Sequence, residues 1–85
     1  MNNVMLIGKY YHMTKLKNGR NKIFIIIADD KREITLPVYV SEPIVNYIKR
    51  CCNEGDLFGI KASVDIDNNE LCIVASKLSF ISKKA

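Results

Sequence analysis

A chain of 85 residues, 48% of them hydrophobic, has enough apolar material for one small globular domain and is not the composition of a disordered segment. Thirteen Lys and Arg against nine Asp and Glu leave a net charge of +4, which points to a polyanionic partner only through where the charges fall. No apolar run approaches the ~20 residues of a membrane helix. The polar start at Asn2 and Asn3 lacks a charged-then-apolar leader, so a cytoplasmic protein without membrane contact is expected.

Residues 3–11, NVMLIGKYY, read as a first strand, short and rich in apolar and aromatic residues without a helical period. Gly8 inside it predicts a bulge or bend. A polar loop follows over His12–Asn21, with a turn signal at Lys17-Asn18-Gly19-Arg20. Residues 22–28, KIFIIIA, form a second, central strand with β-branched residues on both faces. A tight turn at Asp29–Arg32 leads to a third strand over 33–40, where Ile34, Leu36, Val38 and Val40 alternate with Thr35, Pro37 and Tyr39. Pro37 removes a backbone donor and marks an edge or a bulge.

Residues 41–53 read as the helix. Ser41 is the N-cap, Glu42 and Pro43 suit the first turn, and Ile44, Tyr47, Ile48 and Cys51 form an apolar stripe. Lys49 and Arg50 suit the last turn and Gly55 the stop. Two further strands span 56–66 and 70–81, joined by a hairpin turn at Asp67-Asn68-Asn69. Three cysteines, Cys51, Cys52 and Cys72, two of them adjacent and none in C-x-x-C spacing, argue against a disulfide framework or a zinc site. Cys51 and Cys52 read as small buried side chains.

Five strands with a helix between the third and fourth is the order of the OB-fold, an all-β, partly open five-stranded barrel. The expected domain is 1–82, followed by a short, frayed basic tail at 83–85. In that fold the 1–2 and 4–5 loops and the face of strands 2 and 3 bind oligonucleotides. The charges agree with this placement. Residues 1–28 contain no acid but carry Lys9, Lys15, Lys17, Arg20 and Lys22, whereas 62–76 hold Asp65, Asp67 and Glu70 and no base.

Binding of single strands needs cations along the backbone path and aromatic faces for the bases. The five cations supply the first. For the second, Tyr39 points away from the apolar side of its strand, one of Tyr10 and Tyr11 must face outward, and Phe24 and Phe58 read as core. The predicted nucleic-acid-binding set is therefore Lys9, Tyr10, Lys15, Lys17, Arg20, Lys22 and Tyr39. His12 reads as an exposed loop histidine. No phosphate loop, metal motif or nucleophile motif is present, so no enzyme, metal or cofactor is expected. Asp65, Asp67 and Glu70 lack the spacing of a calcium loop.

The opening Met1-Asn2-Asn3-Val4-Met5-Leu6-Ile7-Gly8 resembles the start of bacterial single-stranded DNA-binding proteins, and IKRCCNEGDLFGI over 48–60 resembles their helix end and fourth strand. The resemblance implies a reduced relative, similar to primosomal OB proteins or accessory proteins of mobile elements. It has short 2–3 and 4–5 hairpins and no tryptophan, and ends Lys83-Lys84-Ala85 where the family has an acidic, partner-recruiting tail. It also places Tyr39 near a stacking aromatic of the family. The expectation is a non-catalytic single-stranded DNA-binding protein of replication or repair. It is expected to form a homo-oligomer and to work beside a replication protein. An OB adaptor that mainly binds a polymerase, primase or helicase, or an RNA-binding OB protein, is the alternative.

Overall fold

The computed structural model describes residues 3–84; Met1, Asn2 and Ala85, named above at the two ends of the chain, lie outside them. The elements run β1 (Asn3–Lys15), β2 (Asn21–Ala28), β3 (Glu33–Val40), α1 (Glu42–Cys51), β4 (Leu57–Asp67) and β5 (Glu70–Ser82). The sheet closes in the order β1-β2-β3-β5-β4. The closing seam is narrow: β3 and β5 share one parallel pair, Tyr39 with Val74. The outer edge of β3 is therefore mostly free of ladder partners, which accommodates Pro37 within the strand.

β1 serves two neighbours. Asn3–Lys9 pairs antiparallel with β4, and Lys9–Lys15 pairs with β2. The strand changes partner at a bulge between Tyr10 and His12, the kind of irregularity that bends a strand around a barrel. Gly8, expected to bulge, stays in regular register with Phe58. Its need is close approach instead, since a Cβ there would meet the Ile26 carbonyl oxygen at 3.0 Å. β1 is also longer than expected. Met13, Thr14 and Lys15 continue the ladder to Ile23, Lys22 and Asn21, so His12 lies in a strand and the 1–2 connection shrinks to a tight turn. In that turn the Gly19 N–H donates to the Leu16 carbonyl at 2.9 Å and the Arg20 N–H to Asn18 Oδ1 at 2.9 Å.

The core joins the inward residues of the barrel to one face of α1. Ile23, Ile25, Val38, Phe58 and Ile60 are fully buried, and Val45 and Ile48 of the helix pack with them. Each aliphatic side chain so buried contributes roughly 1.5–3 kcal/mol. The helix stripe is therefore rotated from expectation: Cys51 is exposed, Val45 takes its place inside, and Cys52 is half-buried. The core-facing arc runs through Ile44, Val45, Tyr47 and Ile48 to Cys52, which leaves Cys51 outside it. Ser41 caps by backbone geometry alone, its carbonyl accepting the Val45 N–H at 3.0 Å without a side-chain cap bond.

After α1, Gly55 adopts φ +93°, a conformation costly for any residue with a Cβ. Its N–H donates to the Tyr10 carbonyl at 2.7 Å, docking this turn on the β1 bulge. Buried Asp56 holds the turn together. Its carboxylate accepts the N–H groups of Asn53 at 2.9 Å and of Lys84 at 3.1 Å, which holds its pKa below the ordinary carboxylate value. The tail is thus fastened at Lys84, where fraying was expected.

Candidate nucleic-acid interface

The register of the first three strands builds one outward face. Facing pairs place Lys9 by Ile26 and Ile26 by Thr35, then His12 by Phe24 and Phe24 by Pro37, then Thr14 by Lys22 and Lys22 by Tyr39. Three rows of cations, aromatic rings and small residues cross the sheet from β1 to β3. Phe24, expected in the core, belongs here: it is half-buried, and His12 stacks on it with ring centroids 4.7 Å apart and planes at 21°. Tyr11, at the bulge, meets the His12 ring edge-on at 4.8 Å. The Lys22 ammonium lies 5.3 Å from the Phe24 centroid, within range of a cation–π contact.

At the end of this face the Arg20 guanidinium sits 4.0 Å from the centroid of the Tyr39 ring. Its Nη1 donates to Asp67 Oδ2 at 2.9 Å, the one ion pair among the described residues. The contact joins the 1–2 turn to the 4–5 hairpin, 47 residues apart in sequence. That hairpin turns through Asn68 and Asn69, both at positive φ (52° and 63°), the two-residue connection that suits twisted strands. Beyond Tyr39, between β3 and the hairpin, lies a cleft of about 390 Å³ with walls that include Leu36, Pro37, Val64 and Ile73 and with Lys22 and Asp67 among its polar lining.

The predicted residues divide by face. Lys9, Lys22 and Tyr39 share the outward face, with Arg20 and exposed Lys17 in the turn beside it. Tyr10 points the other way: it packs against the core and meets Phe58 edge-on at 6.4 Å. Its burial, with the neighbouring Cys52 thiol, raises its pKa. Lys15 is in register with buried Asn21 and borders a hollow against α1, away from the Tyr39 row. Sequence reasoning placed His12 in an exposed loop rather than on a strand face, and Phe24 in the core. The available signal was register: β1 runs four residues past Tyr11, to Lys15, and this puts His12 opposite Phe24. A second outward face, on β1, β4 and β5, carries an apolar patch, with Met5 71% and Ile7 61% exposed, Ile7 beside Gly59, and Ile81 3.6 Å from the position of a Gly59 Cβ; Lys61, opposite Met5, and Lys77, opposite Lys61, border it.

Among the described residues no helix is long and apolar enough to cross a membrane, and no group of three or more His, Cys, Asp or Glu is placed to hold a metal ion. No family model matches the chain, and no curated protein matches it in sequence. Solved structures do. The mitochondrial single-stranded DNA-binding protein of S. cerevisiae superposes with a TM-score of 0.81 at 14% identity, over 98% of this chain and 96% of that one. The N-terminal domain of PriB from Thermoanaerobacter tencongensis, a dimer, gives 0.67 at 18% identity over 96% and 98%. A small single-stranded DNA-binding protein from Mycoplasma pneumoniae gives 0.65 at 14% identity over 92% and 91%. The chain thus has the OB-fold in the form these structures share: a five-stranded barrel with one helix between β3 and β4.

Proposed function

We propose that this chain is a non-catalytic, cytoplasmic protein that binds single-stranded DNA during replication or repair. The observation that carries the reading is the outward face of β1–β3, where Lys9, Lys22 and Arg20 border the rings of exposed His12 and of half-buried Phe24 and Tyr39. Cations spaced along aromatic platforms bind strands with little sequence preference, because every base has a π-face and every nucleotide a phosphate. The similar folds of known single-stranded DNA-binding proteins support it. Lys9, Lys17, Arg20 and Lys22 meet phosphate and Tyr39 and Phe24 meet bases, while Tyr10 and Lys15 act indirectly, through packing and long-range charge.

The β4–β5 hairpin is long, contrary to the short one expected, but its two-residue turn is tight and flanked by Asp67 and Glu70, so one barrel covers few nucleotides and binds modestly alone. Assembly compensates. A homodimer buries the Met5, Ile7 and Ile81 face, and a replication protein holding the same strand raises the effective concentration. An anisotropy titration with labelled dT, rU and duplex oligomers tests the reading. Preference for dT over duplex is expected; preference for duplex overturns it, and preference for rU replaces it with the RNA-binding alternative.

A further inference from the structure

Resting on that reading, we propose that the Arg20–Asp67 pair is an autoinhibitory clasp on Tyr39, opened by a phosphate of the incoming strand so that one base occupies the cleft beside the ring. Arg20 covers a face of Tyr39 at 4.0 Å and is held there by Asp67 at 2.9 Å. As long as the clasp is closed, the best-placed cation is neutralised and part of the aromatic surface is unavailable for stacking.

The clasp is built to exchange. Both side chains are about 38–39% exposed, and ion pairs in that setting are weak. A phosphate offers the guanidinium the same forked geometry as a carboxylate. The cleft beside the clasp has room and chemistry for a base: about 390 Å³, apolar walls from Leu36, Pro37 and Ile73, Tyr39 at one side, Glu70 with Asp67 as its acidic lining, and Lys22 in register with Tyr39 to hold a neighbouring phosphate. Asp67 belongs both to the clasp and to the cleft lining, so releasing Arg20 alters the site where the base would enter.

The test is a titration of wild type, Asp67→Asn, Arg20→Ala and the double variant with a short labelled oligothymidylate at low salt. Asp67→Asn should bind about two- to fivefold tighter than wild type, the range an exposed ion pair spans. That gain should vanish in the Arg20→Ala background. An equal gain with and without Arg20 would mean simple loss of charge repulsion and would overturn the clasp. Cys72 lines the cleft while Cys51 is exposed on α1, so alkylation of the same samples reads the second half of the proposal. Bound strand should slow Cys72 and leave Cys51 unchanged; an unprotected Cys72 in a strand-bound sample excludes the cleft. Failure of wild type to bind at all rejects the single-strand reading itself, an outcome distinct from either.

Discussion

The imidazole of His12 stacks on the ring of Phe24, centroids 4.7 Å apart and planes inclined by 21°, on the outside of a barrel whose inside is lined by Phe58 at zero exposure. Two phenylalanines thus face opposite media, and truncating each should read out differently. Phe24→Ala should weaken single-strand binding by about 1–3 kcal/mol, the contribution of one stacked base. Phe58→Ala should instead cost about 3–5 kcal/mol of stability. Anisotropy titrations beside thermal melts separate the two; a Phe24→Ala protein with wild-type affinity would remove that ring from the interface.

Tyr39→Ala should likewise weaken binding by about 1–3 kcal/mol with the fold retained. Replacing Lys17 and Arg20 together with Ala should act mainly on the salt dependence, because those groups meet phosphate. For the wild type, three to five phosphate contacts imply a slope of roughly −2 to −3.5 in log K against log salt, at about −0.7 per contact. Titrations across a salt series check both, and a slope near zero contradicts a phosphate-tracking face.

Asp56 makes stability depend on acid. Its folded pKa is depressed by the N–H groups of Asn53 and Lys84, so the stabilisation is complete above the unfolded value of about 3.9 and is lost as pH falls through the lower folded value. Asp56→Asn should melt below wild type at neutral pH, with the difference shrinking as the solution is acidified below about pH 4. Melting curves from neutral to acid pH decide it; a gap that stays constant would assign the effect to packing.

The apolar outer face should make the protein a dimer or tetramer. Burying Met5, Ile7 and Ile81 removes exposed hydrophobic surface that a small monomer otherwise presents to water. Light scattering at high micromolar concentration should show the oligomer, and Ile7→Lys should dissociate it. A monomeric wild type rejects this assembly.

The strand order and the single helix are legible in the sequence because period-2 alternation and turn residues are local signals. The 4–5 turn at Asn68-Asn69 and the β3 pattern around Val38 and Tyr39 carry their own geometry. The face of Phe24 is not legible: in KIFIIIA both sides of the strand are apolar, and only pairing with His12 and Pro37 distinguishes them. The end of β1 is hidden because His12, Thr14 and Lys15 are polar, although their backbones continue the ladder. The clasp between Arg20 and Asp67 has no local signature at all, since barrel closure alone brings those turns together.

The division of β1 between two partners also imposes an order of assembly. Its second half meets β2 across a five-residue turn, a contact of low entropic cost, whereas its first half must wait for β4, some fifty residues later in the chain. During synthesis the β1–β2–β3 meander can therefore form while Val4, Leu6 and the other apolar residues of the leading segment still lack their partners. Pulse-labelled hydrogen exchange should find the amides of Thr14 and Lys22 protected before those of Leu6 and Ile60. The nascent chain is most prone to aggregation in that interval, and the arrival of β4 ends it.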